Sequence, residues 1–475
     1  MMTKIFNATL ILFMALLVSC AYSKPVNQEI LAAVKTPGPK PTSFSEFSRE
    51  RNRLLEEEAI SSLSKKTPIL LSDASIPSDA LLITNGIIID GTGKAPIPNG
   101  MIIIWQKQIL YVGPLKTFTN SPDVDIIDIE GNTMMPGIIN AHTHHTYDPV
   151  TRHNLLMEGV TSICDLGCSM RCMPHFDEHY TPQNQPAARG FKAGPMLTAP
   201  GGYPGTFYGN SWHYDVSNVT EAEAAVYDLL SRGSDVIKIA LEPGPLQDPW
   251  PVLKPSEVKK IVDTAHLYNV KVCAHVRQAA VLDIALTSGV DVIEHIPVPY
   301  RSVDEIKQYL KEDKLHLSAW PQLQNQFRYM ADHNVILVPT LEANIAVLNQ
   351  TCQLTESEQQ QSIDFVLEIV RYFHEIGGVI ALGNDFGSVG VERGMPIKEM
   401  ELLLSADLTP MDVIRAGTYS AAQAIGYDDQ LGSLEEGKIA DLIVVDGDPL
   451  ADIITIKKVT IIIQDGQLVY RSSEL

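Results

Sequence analysis

The stretch Met135-Pro136-Gly137-Ile138-Ile139-Asn140-Ala141-His142-Thr143-His144-His145 decides the fold of this 475-residue chain. Gly137 to Ala141 is a short apolar run, the pattern of a strand buried on both faces, and it ends on imidazoles. His142 and His144 lie two apart, so extended backbone turns both to the same side, which suits two imidazoles on one cation.

Working downstream, the same grammar recurs. Thr161 to Cys164, Met196 to Ala199, Val236 to Ala240, Val270 to Ala274, Val290 to Glu294, Val335 to Pro339 and Val379 to Leu382 read as further strands, separated by helical stretches. Eight such units in about 290 residues predict an α/β fold of the (β/α)8 TIM-barrel type. An open doubly wound sheet is the alternative, but no Gly-x-Gly-x-x-Gly follows the first strand.

Working outward to the ends, residues 81 to 130 hold short apolar runs punctuated by Gly and Pro, without a helical period. The pattern returns from Leu442 to Tyr470. A small β-sandwich built from both ends, 80–133 and 434–475, is therefore expected around a barrel at 134–433. Residues 21–79 read as a Pro-containing tether followed by an exposed helix between Ser43 and Lys66.

Lys4 and the apolar run from Ile5 to Val18 read as a secretory signal, too short for a comfortable bilayer span. Leu17-Val18-Ser19-Cys20 is similar to a bacterial lipobox, in which Cys20 is lipidated; Ala21 after it favours the outer membrane over inner-membrane retention. An ordinary signal peptide cleaved nearby is the other reading. Either way the expectation is export across the inner membrane, to the periplasm or, as a lipoprotein, to the outer membrane. No later stretch carries enough uninterrupted apolar residues to span a bilayer. Of the six cysteines, Cys164, Cys168 and Cys172 recur every four residues; a disulfide or free thiols is the favoured reading over a metal cluster.

Composition excludes other classes. With 45% apolar and 20% charged residues the chain can bury a large core. Its 36 basic and 57 acidic residues leave a net charge of -21, which opposes nucleic acid and anionic membrane surfaces.

Barrel chemistry belongs at the C-terminal ends of the strands. Besides His142 and His144, His275, His295 and Asp385 fall at such ends, a set suited to divalent metal. Lys238 is different. Alternation in Asp235-Val-Ile-Lys-Ile-Ala puts Val236, Lys238 and Ala240 on one face, so if the Ile face meets the helices, Lys238 points into the barrel. A buried ammonium there needs a carboxylate, loss of its proton, or reaction with carbon dioxide to a carbamate; a rim ion pair with Asp235 or Glu242 is the plainer alternative.

Together these motifs resemble the amidohydrolase superfamily, in its imidazolonepropionase-like and dipeptidase-like branch. The resemblance covers residues 80 to 470, including Gly289-Val-Asp-Val-Ile-Glu-His and Gly432-Ser-Leu-Glu-Glu-Gly-Lys-Ile-Ala-Asp-Leu. It implies that His142, His144, carboxylated Lys238 and Asp385 hold one metal and that the Lys238 carbamate, His275 and His295 hold a second, both expected to be zinc. It further implies a metal-activated hydroxide as nucleophile. Two departures stand out: Asn140 replaces the usual Asp before Ala-His-Thr-His, and Ala274-His275-Val276-Arg277 replaces a His-Ala-His-Gly type of ending.

The expected reaction is hydrolysis of an amide-like C–N bond, with Asp385 taking a proton from the attacking water and passing it to the leaving amine. Tyr203, Arg277 and His145 are candidate substrate contacts, Arg277 and Tyr203 for a carboxylate. The Gly- and aromatic-rich loop Pro200 to Tyr214 reads equally as a binding loop or as one stapled by its own rings. A dipeptide or N-acyl amino acid is the expected substrate. The rivals are a mononuclear deaminase or cyclic-amide hydrolase of the same fold, and a non-catalytic surface lipoprotein. Expected partners are thus a small amide, no nucleic acid and a membrane only through the lipid, with a homo-oligomer left open.

Overall fold

The computed structural model describes residues 76–117, 124–181, 183–205, 211–244, 248–350 and 353–473. The signal segment with Cys20, most of the tether region with its expected helix at Ser43 to Lys66, and Cys352 lie outside the described residues.

The chain begins with β1 (Leu81–Ile88), β2 (Ile97–Trp105), β3 (Gln108–Pro114), β4 (Asp125–Asp128) and β5 (Thr133–Pro136). The central strands are β6 (Ile138–Thr143), β7 (Val160–Asp165), β8 (Arg189–Lys192), β9 (Met196–Thr198), β10 (His213–Asp215), β11 (Ile237–Ala240), β12 (Val272–His275), β13 (Val292–Glu294) and β14 (Ile336–Val338). Last come β15 (Leu442–Val445), β16 (Val459–Gln464) and β17 (Gln467–Arg471).

The two ends share one sheet, ordered β17-β16-β15-β5-β1-β2-β3, with β4 also on β1. Alternation explains its burial. Leu442, Val444, Ile461 and Ile463 pack on Ile83, Ile102 and Ile104, while Ile443, Val445, Ile462 and Met135 join the core formed with the central helices. Arg189 on β8 ties the sheet down further, its Nη2 lying 3.0 Å from Asp441 Oδ2 and 2.8 Å from Asp465 Oδ1.

The central strands are parallel, in two sheets ordered β6-β7-β8 and β10-β9-β11-β12-β13-β14. The third expected strand begins earlier than Met196: residues 189–198 carry β8, which pairs with β7, and β9, which pairs with β11. The eighth, expected at Val379 to Leu382, is not a regular strand. It is a segment bonded on both sides: Leu337 N to Val379 O and Ala381 N to Leu337 O on one, Ala141 N to Leu382 O and Asp385 N to His142 O on the other. Gly383 allows this close approach, since a Cβ there would come within 2.7 Å of His142 Cβ.

Helices cover the outside, among them α1 (Pro149–Met157), α2 (Val219–Ser231), α3 (Pro255–His266), α4 (Ala279–Ser288), α5 (Val303–Lys311), α6 (Pro321–Asp332), α7 (Leu341–Asn349), α8 (Glu356–Glu375) and α9 (Ile397–Ser405). Their ends follow local chemistry. Asn218 accepts the first N–H groups of α2, Thr355 and Glu358 form a reciprocal capping box on α8, and Gly289 closes α4 at φ 86°. Ile237, Ile239, Ala274 and Val276 pack with the helices. Val236, Cys273, Val292, Ile336 and Val338 form a separate inner cluster. That division of odd from even positions decides which side chains face the site.

Cys164, Cys168, Cys172 and Cys273 are free thiols, so of the two forms left open at this motif the free thiol is the one present. Among the described residues no helix is long and apolar enough to cross a membrane.

Candidate metal centre

Lys238 shares a strand face with Val236, which lies in the inner cluster, while Ile237 and Ile239 lie with the helices. The ammonium therefore points inward and is 1% exposed. It pairs with neither residue of the rim alternative: Asp235 takes Lys192 and Tyr427, and Glu242 takes Gly244 and Gln278. Burial pulls its pKa below the ordinary lysine value, against the opposing effect of Glu294 and Asp385.

The strand-end residues come together around Asp385. Its Oδ1 lies 3.6 Å from His142 Nε2 and 3.4 Å from His144 Nε2. The His295 ring centroid is 4.9 Å from that of His142 and 4.4 Å from that of His275. Ligand atoms of His142, His295 and Asp385 all lie within 4.8 Å of one another. His295 and Asp385 hold left-handed backbone, at φ 68° and 62°, strain that a packed site must sustain.

Protonation favours cation binding. Burial holds His142 and His295 well below the ordinary imidazole range and takes His275 down to about 4, so all three are neutral at pH 7, the form that can bind a cation. Burial pushes Asp385 up, but the neighbouring His142, His144 and Arg277 outweigh it and hold the carboxylate at about 2.

Four buried atoms here have no hydrogen-bond partner: His142 Nε2, His275 Nε2, Lys238 Nζ and Asp385 Oδ1. Leaving a buried polar group unsatisfied costs roughly 1–3 kcal/mol; the His142, His275 and Asp385 atoms fit a cation-binding role, whereas Lys238 fits it only after losing its proton.

Two supporting residues went unnoticed in the sequence: Glu294 Oε2 sits 2.7 Å from His142 Nδ1, and Thr340 Oγ1 sits 2.7 Å from His295 Nδ1. Glu242, by contrast, approaches His275 at Nε2, at 3.4 Å. Hydrogen bonds at Nδ1 leave Nε2 free to ligate. Glu294 had a signal, a charge inside the apolar strand Val290-Asp-Val-Ile-Glu; Thr340 had none.

Asn140, the departure next to the first strand end, donates to Asn384 Oδ1 at 2.8 Å and accepts from His142 N at 3.3 Å; Asn384 in turn donates to Glu342. Of the candidate substrate contacts, Tyr203 stacks on His275 at 4.6 Å, Arg277 Nη2 lies 3.8 Å from Asp385 Oδ2, and His145 meets Trp212 edge-on at 4.9 Å.

Parallel strands with helices outside, and a His/Asp cluster at the strand ends, make a site that could hold a divalent metal. The chain belongs to the amidohydrolase family, whose profile matches residues 133–469. It is 24% identical to ochratoxinase of Aspergillus niger over 442 residues, covering 82% of this chain and 85% of that protein. It is also 24% identical to a 5-methylthioadenosine/S-adenosylhomocysteine deaminase of Symbiobacterium thermophilum over 439 residues, covering 82% and 94%. Among solved structures, a Xaa-Pro dipeptidase with bound methionine in its active site matches with a TM-score of 0.66 at 24% identity, covering 83% of this chain and 100% of that one. The A. niger ochratoxinase structure matches at 0.67 and 22%, covering 83% and 96%. These neighbours imply a TIM-type barrel. Family and site together support a metal-dependent C–N hydrolase acting on small molecules.

Proposed function

We propose that this protein hydrolyses the amide bond of a dipeptide or N-acyl amino acid with two divalent ions, zinc for preference. His142, His144, Asp385 and a carbamate on Lys238 would hold one ion, and the same carbamate with His275 and His295 the second. The observation that carries this reading is the set of four buried, unpartnered atoms turned into one site. A divalent ion bound there supplies a Lewis acid and brings the pKa of water from about 15.7 to about 7.

The protein's own groups do the rest. The Lys238 amine, once unprotonated, adds carbon dioxide and releases a proton, giving the anionic ligand that an ammonium cannot be. Asp385 is ionised, so its Oδ1 can take a proton from the attacking water and hand it to the leaving nitrogen, a step worth roughly 10²- to 10⁴-fold. Glu294 and Thr340 hold their histidines in one orientation, and Tyr203, Arg277 and His145 contact the substrate.

Metal analysis should give two ions per chain, and Asp385→Asn should abolish hydrolysis while keeping the fold. A metal-free wild type of unaltered activity sinks the reading. A second reading, a mononuclear deaminase or cyclic-amide hydrolase, is favoured by the tightness of the His142, His295 and Asp385 group, which draws on both proposed ligand sets. One ion per chain with an active Lys238→Ala variant would select it. The N-terminal sequence supports placing the enzyme outside the inner membrane, as a periplasmic protein or as a lipoprotein anchored through Cys20.

A further inference from the structure

Cys168 and Cys172 lie on the loop that follows β7, and the hydrolysis proposed above uses neither. The turn between them closes through Cys172 N donating to Ser169 O at 2.9 Å, which brings the two thiols close enough to share a hydrogen bond. Both are reduced. Their surroundings differ. Cys168 is fully buried in the main core with Met173 and Phe176, and its N–H is held by Gly194 O at 3.2 Å. Cys172 is only partly buried, at the edge of that core.

The contacts of Cys172 suit a thiolate. Its sulfur faces three donors: the Cys168 S–H, the Ser169 hydroxyl at 3.2 Å and the Ser169 N–H. These hydrogen bonds, that of Cys168 foremost, outweigh burial and the charge of Asp165 and bring the Cys172 thiol down to about 6. The same contact, with burial, pushes Cys168 up. An accessible thiolate beside a second thiol is the arrangement from which reversible disulfides form. Cys164 and Cys273 give the contrast within the same chain: both sit in the inner cluster, and burial raises both thiols.

We propose that Cys172 and Cys168 form a reversible dithiol couple that reacts with low-molecular-weight disulfides, Cys172 as the nucleophile and Cys168 as the resolving thiol. The Cys172 thiolate attacks one sulfur of the small disulfide, so that a mixed disulfide forms and one small thiolate leaves. The Cys168 sulfur then attacks that of Cys172, its proton passing to the second small sulfur as it departs. Two protein sulfurs are oxidised to one disulfide, and the external disulfide is reduced to a thiolate and a thiol. The couple adjoins the metal centre, since a Cβ on Gly167, next to Cys168, would come within 3.1 Å of His144 Cε1.

Peptide mapping of the folded full-length protein tests this. Trypsin cuts after Arg171, between the two cysteines, so their bond appears as a linked pair of peptides, 153–171 with 172–189. Oxidised glutathione should produce that pair and dithiothreitol should remove it. Cys168→Ser should stop at a glutathione adduct on Cys172, and Cys172→Ser should leave Cys168 unreacted. In the reduced wild type, alkylation of Cys172 at pH 7 should run roughly tenfold or more faster than that of Cys164 or Cys273. A glutathione adduct that persists on wild-type Cys172, a bond from Cys172 to any cysteine but Cys168, or no reaction at Cys172 overturns the couple. The wild-type map decides even where a variant fails to fold.

Discussion

Glu294 Oε2 lies 2.7 Å from His142 Nδ1, with both side chains almost wholly buried. Burial pushes the Glu294 carboxyl up to about 7, partly offset by Lys238, while His142 is held neutral. A neutral imidazole that donates from Nδ1 presents the lone pair of Nε2, the atom 3.6 Å from Asp385. Glu294 thus determines which nitrogen faces the site.

Removing that acceptor should weaken the site without dismantling the barrel. Glu294→Ala is expected to lose roughly 10- to 100-fold in metal affinity or turnover, and Glu294→Gln, which keeps an acceptor oxygen, should lie between it and the wild type. Competitive metal titration followed by kcat measurement checks this; wild-type affinity in the Ala variant would rule out the orienting role.

Thr340 makes the equivalent contact to His295, from a backbone at φ 46° that a β-branched residue rarely adopts. Thr340→Val keeps the branching and the strain but removes the oxygen. Zinc retention should fall by about tenfold or more, with little change in circular dichroism. Unchanged zinc retention would show that the hydroxyl does not orient the ring.

Arg189 has a structural role. It is 20% exposed and pairs with Asp441, which is almost buried at 6%. Burial raises the Asp441 pKa, and Arg189 counteracts it. Arg189→Met leaves that carboxylate without its partner and should cost about 3 kcal/mol, seen as a lower thermal midpoint. Arg189→Met with Asp441→Asn should recover part of the loss, since no buried charge then remains.

Asp291 predicts a pH effect of defined sign. Burial raises its pKa, but the bond from His266, the bond from Val272 N and the charge of Lys271 outweigh this and hold the folded value below the usual 3.8. A depressed carboxylate stabilises the fold above its unfolded pKa, and the contribution is lost as pH falls through the folded value. Asp291→Asn should therefore be less stable than wild type near pH 7, with the gap closing below about pH 4. Denaturant melts across that range give the comparison, and a gap that widens in acid contradicts the assignment.

The barrel strands and the inward lysine were legible because they depend on short-range periodicity. A buried strand shows itself as an apolar run, and alternation alone assigns Lys238 a face. The same rule places His275 and Arg277 together. Local pattern was weaker where pairing is irregular. The residues 189–192 were missed, and the eighth strand is an irregular segment held by backbone bonds to Leu337 and Ala141.

By itself the sequence determined the family, the parallel α/β order and the strand-end residues, since each is written in consecutive or alternating positions. Only the tertiary structure decided what holds those residues. Glu294 meets His142 across 152 positions, Thr340 meets His295 across 45 and Asn384 meets Asn140 across 244. No periodicity connects such pairs. They exist because the strands return to one rim, where buried polar atoms must find partners from whichever strand is nearest in space.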